Sequence, residues 1–303
     1  KGKKTYYRNA MFAIGFFEFQ VGKLDKETVE LFREYWEGDF GKKEAFKTKV
    51  NQLRSVPVEA SIPVDKKIYT YENIKKLIRK SPGPFGVAEC ICRKGQDLLG
   101  EPCKRTDLRE SCLVFRETAD LYISHGNARP ITKEESLNIL EQAEQEGLII
   151  QPGNSKVLNF ICTCCGCCCE DLRAVKKNPK PAELYNTNFY AVVDKGICKG
   201  CGNCAKRCNM DAINIIDKKA EVNLDRCIGC GQCTVECPTN SIRLTKKAKK
   251  KTPPRSNFRL FLILNTRKNG LWSSVKLILN MIRKMNVFYL LKRNKKFPLK
   301  NRK

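Results

Sequence analysis

Cys198, Cys201, Cys204 and Cys208 stand in the spacing C-x2-C-x2-C-x3-C, and Cys227, Cys230, Cys233 and Cys237 repeat it, followed by Pro238. Four thiolates at that spacing suit an iron–sulfur cubane. A tight loop presents three sulfurs to tetrahedral corners before the chain must turn away. The fourth then leaves on a short helix and ligates the other cluster. The spacing therefore predicts one [4Fe–4S] cluster on Cys198, Cys201, Cys204 and Cys237, and a second on Cys227, Cys230, Cys233 and Cys208. Structural zinc or disulfides compete, but two full copies leave little room for chance.

The flanks form an internal repeat. Ile197–Cys204 matches Arg226–Cys233 nearly residue for residue, with Gly200, Gly202, Gly229 and Gly231 at corresponding places. Those glycines let backbone approach a cluster, where N–H groups face sulfide and thiolate charge. Short β-like stretches, Phe189–Val193 and Ala220–Leu224, precede the loops. Two more, Ala212–Ile216 and Ser241–Leu244, follow the fourth cysteines. Residues from about 188 to 245 resemble a dicluster ferredoxin domain in every ligand position. Asn209 departs from that pattern, which often has proline there; it removes a backbone constraint but no ligand.

Ten further cysteines lie upstream: Cys90, Cys92, Cys103, Cys112, Cys162, Cys164, Cys165, Cys167, Cys168 and Cys169. Cys90 and Cys92 would share one side of an extended strand. Six thiols between Cys162 and Cys169 are too dense for packing alone and call for a metal or a redox role. An additional Fe–S cluster leads; a zinc site, a redox-active thiol set and free structural cysteines remain open. By separation, Cys90, Cys92, Cys103 and Cys112 form the first ligand set to consider, with the Cys162–Cys169 run as the competing pool.

The elements that position these residues are legible in part. Lys3–Arg8 and Met11–Val21 read as strands around Gly15, and Lys26–Trp36 as an amphipathic helix. Lys1–Tyr7 also has the look of a wing strand, so residues 1–60 read either as the remnant of a winged helix or as a plain helical adaptor. Residues 61–185 read as a Cys-rich, mostly helical domain. Tyr71–Lys80 is a helix stopped by Ser81-Pro82-Gly83-Pro84. Thr132 with Glu135 is a capping box opening a helix to about Glu146, ended by Gly147. His125, the single histidine, reads as a turn residue beside Gly126. Residues 186–245 complete an α+β chain with a ferredoxin-like domain of two β-loop-α-β repeats, and 246–303 form a basic tail.

A wider resemblance rests on Ala88-Glu-Cys-Ile-Cys-Arg-Lys94, Gly100–Cys103, Ser111–Leu113, Ala128–Glu135, and Gln151–Asn154 leading into the cysteine run. Together these resemble a poorly characterised family of 4Fe–4S dicluster-domain proteins from anaerobic bacteria and archaea, from about residue 5 to 245. The resemblance implies Fe–S binding and electron transfer and supplies no substrate.

Composition narrows the setting. Eighteen cysteines, many adjacent, argue for a reducing compartment, because neighbouring cysteines are poor disulfide partners. With no signal peptide at Lys1-Gly2-Lys3-Lys4, a cytoplasmic location is the default, and the start at Lys reads as a fragment or processed product. The net charge of +26 is misleading about nucleic acid, since no acidic residue follows Glu236 while twenty Lys and Arg lie between Arg243 and Lys303. In the tail, Leu271–Leu291 reads as a basic amphipathic helix on an anionic membrane surface, a partner-binding helix, or non-native sequence.

No G-x-G-x-x-G fingerprint, P-loop or nucleophile–histidine pair appears. The leading expectation is an electron-transfer protein serving redox partner proteins. Two alternatives stand beside it: an Fe–S redox sensor with a DNA-binding part, and an oxidoreductase subunit whose extra cluster keeps an open coordination position.

Overall fold

The computed structural model describes residues 12–61 and 70–294. The expected strand over Lys3–Arg8 and the wing-like Lys1–Tyr7 lie outside them. Where Met11–Val21 was expected to extend, Phe12–Phe16 is a wide helical turn and Glu18–Gln20 a 3-10 turn. Aromatic packing decides this: Phe12, Phe17, Phe32, Trp36 and Phe40 cluster, and only a coiled backbone brings Phe12 and Phe17 to one side. Helix α1 (Lys26–Tyr35) appears where expected, with Asp25 accepting from the Thr28 N–H at 2.8 Å.

Residues 61–185 are not mostly helical. Helices α2 (Ile74–Lys80), α3 (Ile91–Leu98), α4 (Glu117–Ser124) and α5 (Lys133–Gln145) surround a five-stranded sheet. Its strands are β1 (Phe85–Glu89), β2 (Glu110–Phe115), β3 (Arg129–Ile131), β4 (Ile149–Pro152) and β5 (Phe160–Cys164). They pair antiparallel in the order β3-β1-β2-β5-β4. Period-two alternation divides the faces. Leu113 and Phe115 of β2 join Ile78, Leu140 and Leu148 in one core, while Cys112 and Val114 pack on the other side with Tyr122. Thr132 caps α5 by accepting from the Glu135 N–H at 3.0 Å, as its capping box predicts. His125 ends α4, its Nδ1 2.8 Å from Leu121 O.

Cys90 and Cys92 do not share an extended strand. The β1–β2 register shifts between Ala88 and Glu89, the Cys90 N–H donates to Arg109 O at 2.8 Å, and Cys90 becomes the N-cap of α3. Helix α6 (Glu170–Lys176) begins in the same way, on Cys169.

After α7 (Pro181–Leu184) comes the repeat predicted from the cysteine runs. It comprises β6 (Phe189–Val193), α8 (Asn203–Arg207), β7 (Ile213–Ile216), β8 (Lys219–Val222), α9 (Gln232–Val235) and β9 (Ile242–Lys246). The outer strands pair as β6–β9 and the inner as β7–β8. Asp217 and Lys218, at φ +48° and +58°, make the tight turn between β7 and β8. This module and the Cys-rich region share a buried core that runs from Ile149, Leu172 and Val175 to Ile213, Ile228 and Leu244.

The tail forms α10 (Asn257–Asn269) and α11 (Leu271–Asn294), parted at Gly270. Leu260 and Leu264 are buried, and Arg267 donates to Thr48 O at 2.8 Å, fastening α10 to the body. Among the described residues no helix is long and apolar enough to cross a membrane.

Candidate metal centres

Cys198, Cys201 and Cys204 line one pocket together with Cys237, which comes from the second run. The Ala220 N–H donates to Cys198 Sγ at 3.4 Å. Ala220 and Gly200 N–H groups hold the Cys198 thiol below its ordinary range, the direction a ligand thiolate needs. Cys237 is pushed up by burial. Hydrogen bonds from Ser241, Ile242 N–H and Thr239 more than offset this and bring it to about 7. Of the eight thiols in this module only Cys201 is exposed.

The second group repeats the first. The Ala191 N–H donates to Cys227 Sγ at 3.4 Å, and the Ala212 N–H to Cys208 Sγ at 3.3 Å. Ala191 on β6 thus does for Cys227 what Ala220 on β8 does for Cys198. Burial pushes Cys230 up to about 12 and raises Cys233, to which nearby Cys230, Cys227 and Cys208 add. Neutral thiols are unfavourable ligands, so only a bound cation would repay ionising this buried set.

The repeat's glycines serve packing as well as φ. Gly200 lies at φ +67°, and a Cβ there would sit 2.2 Å from Lys218 O; at Gly229, φ +65°, it would sit 2.3 Å from Phe189 O. Each loop is pressed against the strand that precedes the other half of the motif.

The ten upstream cysteines fall into two groups, neither of which is the set given by sequence separation. Cys103 does not meet Cys90, Cys92 or Cys112. It joins Cys165, Cys167 and Cys168, with all four sulfurs within 4.8 Å of one another. Its sulfur lies 3.6 Å from that of Cys165 and 3.8 Å from that of Cys167, and Cys167 and Cys168 are 3.6 Å apart. Tetrahedral bonds of about 2.3 Å to one ion require sulfurs roughly 3.8 Å apart. This group therefore has the spacing of a single tetrahedral ion. Cys90, Cys92, Cys112, Cys162, Cys164 and Cys169 line an adjoining cavity, which Cys165 and Cys168 also border.

Sequence reasoning passed over the side chains that join these groups. Arg207 and Asn209 flank Cys208, and both are buried. Arg207 donates to the carbonyls of Glu144 and Gln145 at the end of α5, each at 3.1 Å, and to Gln232 Oε1 at 2.9 Å. Gln232 in turn donates to Leu148 O at 2.6 Å. A long cation beside a candidate ligand cysteine was the available signal, but it reads as surface charge until burial is known.

Residues 220–243 match the 4Fe-4S binding domain family, which places the second cysteine run inside the matched segment. No curated protein and no solved structure matches the chain. The chain thus binds iron–sulfur through this motif, and Cys103, Cys165, Cys167 and Cys168 form an additional candidate metal site.

Proposed function

We propose that this chain is an electron-transfer protein of the ferredoxin type, holding two [4Fe–4S] clusters on interleaved ligand sets and one further ion on Cys103, Cys165, Cys167 and Cys168. The observation that carries this reading is the company of Cys237: it lines the pocket of Cys198, Cys201 and Cys204, which belong to the other run. A [4Fe–4S] cluster, when bound, supplies one-electron exchange tuned by hydrogen bonds to sulfur, local charge and solvent exposure.

The protein's own residues would set those three quantities differently at the two sites. Exposed Cys201 leaves the first set open to a partner, with exposed Ile197, Ile215 and Ile216 and the lysines Lys199 and Lys218 nearby. That rim suits a redox partner with an apolar, acidic docking face. The second set is more enclosed, with none of Cys208, Cys227, Cys230 and Cys233 exposed and the Val58 N–H bonded to Cys230 O at 3.0 Å.

The test compares Cys201→Ser, Cys233→Ser and Cys237→Ser in the full chain under anaerobic conditions, by iron, acid-labile sulfide and EPR after reduction. Cys237→Ser should abolish the same signal as Cys201→Ser. Its sharing the signal lost in Cys233→Ser would overturn the interleaved assignment, and a reduced wild type without a one-electron signal would overturn the electron-transfer role.

A further inference from the structure

We propose that Cys90, Cys92, Cys112, Cys162, Cys164 and Cys169 wall a polynuclear iron–sulfur site adjoining the four-thiol group, in which four of the six thiolates hold the cluster. The site goes beyond the ferredoxin reading and does not depend on it.

The six thiols come from four places in the fold. Cys90 caps α3 and Cys92 lies in its first turn; Cys112 is on β2; Cys162 and Cys164 share one face of β5; Cys169 caps α6. They interact in succession, Cys90 with Cys92, Cys92 with Cys169, Cys169 with Cys164, Cys164 with Cys162 and Cys162 with Cys112. Together with Cys165 and Cys168 of the four-thiol group, they line a cavity of about 50 Å³. That exceeds the ~10–15 Å³ that one water needs.

Sulfur spacing separates this site from a single-ion site. Among the described residues, Cys103, Cys165, Cys167 and Cys168 are the one potential metal-ligand group of three or more whose ligand atoms all lie within 4.8 Å of one another. The six thiols do not converge in that way, and neither do the two ferredoxin sets. A cluster attaches each thiolate to a different iron, so its ligands stand around a volume instead of meeting at a point.

The rest of the wall is mixed: Phe17, Trp36, Leu53 and Ile91 are apolar, and Glu18, Glu89 and Asp171 place carboxyl groups beside them. Arg93, 1% exposed, also lines it. Its Nη1 donates to Ser111 Oγ and Nη2 to Thr163 O, each at 2.6 Å. Its Nε–H has no hydrogen-bond partner among the described residues. A buried donor on a permanent cation is costly to leave unpaired. A cluster bound by four thiolates carries net negative charge, and a sulfur acceptor would satisfy both needs.

The experiment uses the full chain, reconstituted anaerobically with iron and sulfide, and the triple variant Cys112→Ser/Cys162→Ser/Cys169→Ser, which leaves only three of the six thiols. The variant should lose about four irons and four acid-labile sulfides relative to wild type. Equal iron and sulfide in both proteins would overturn the proposal, as would zinc in these sites or loss of iron without sulfide. Because the variant could misfold, alkylation of the folded wild type provides a second reading. The six cysteines should be protected until a chelator strips iron, and their free reaction in the loaded protein overturns the site. Cys233→Ser separates the two readings: if it leaves iron unchanged while the triple variant lowers it, the ferredoxin reading falls and this one stands.

Discussion

The Gly166 N–H donates to Asn209 Oδ1 at 2.9 Å, so the turn that parts Cys165 from Cys167 is bonded to the residue following Cys208. Asn209 also donates from Nδ2 to Gly147 O at 2.8 Å, reaching the end of α5. One buried amide therefore joins the four-thiol group, the sheet domain and the module that carries Cys198–Cys237. Proline at this position could make neither side-chain bond, which gives the departure from the usual pattern a structural reason.

Asn209→Ala should leave iron content near wild type but lower stability by about 1–3 kcal/mol, because two buried partners lose their bonds. Denaturant unfolding of the folded holoprotein measures this. An unchanged midpoint with unchanged slope would mean that other seam contacts hold the two parts together without Asn209.

What could be seen in advance follows from how local each signal is. The β6 and β9 strands, the loops and the short helices around Cys198–Cys237 repeat within one stretch of chain, so spacing alone reveals them. Helix α5 was equally legible, because Thr132 and Glu135 mark its start and Gly147 its end. The sheet of β1 to β5 was hidden. Its strands are short, they pair out of sequence order, and their alternation is masked by cysteines that also serve as candidate ligands. The division of the upstream thiols was hidden for the same reason. Cys164 and Cys165 are adjacent and both border one cavity, yet only Cys165, just past the end of β5, joins the four-thiol group.

Cys103→Ser tests the nature of the four-thiol group. Sulfurs at 3.6–3.8 Å match one tetrahedral ion. The variant should therefore lose about one metal ion per chain with no change in acid-labile sulfide. Metal analysis alongside a sulfide assay decides it; loss of sulfide in step with iron would mean that the group serves a cluster instead.

Gly200→Ala and Gly229→Ala should act on opposite sites. Each new methyl would meet a backbone carbonyl at 2.2–2.3 Å, and each backbone sits at positive φ. Close contact with backbone cannot be relieved by a rotamer change, so each should cost upwards of about 2 kcal/mol. Gly200→Ala should weaken the set of Cys198, Cys201, Cys204 and Cys237, and Gly229→Ala the set containing Cys227. Oxygen-induced bleaching followed by EPR would show which signal decays first in each variant. Identical behaviour would argue that the two loops unfold as one.

Arg207→Met should destabilise the protein by about 3–5 kcal/mol, as removal of one partner from a buried charged network does. The guanidinium bonds the Gln232 carbonyl, the Glu144 and Gln145 carbonyls and the Glu236 carboxylate. Methionine fills much of the same space but leaves those acceptors unpaired. A Lys replacement should recover only part of the loss, since one ammonium cannot reach all of them. Full stability in Arg207→Met would show that water reaches the seam.

Glu144 supplies the pH test. Burial raises its carboxyl above the ordinary 4.5 although Lys75 Nζ lies 3.3 Å away and opposes the shift. Well below pH 4.5 the group is protonated in both folded and unfolded chains and contributes no pH dependence. As pH rises, the unfolded chain releases this proton first, so the folded state loses stability until pH passes the raised value, and the loss then levels off. Glu144→Gln removes that titration. The stability of wild type relative to Glu144→Gln should therefore fall between acid and neutral pH, followed by denaturant midpoints at fixed salt. A relative stability that rises with pH would show that pairing with Lys75 outweighs burial, and that the carboxylate is held ionised where α2 meets α5.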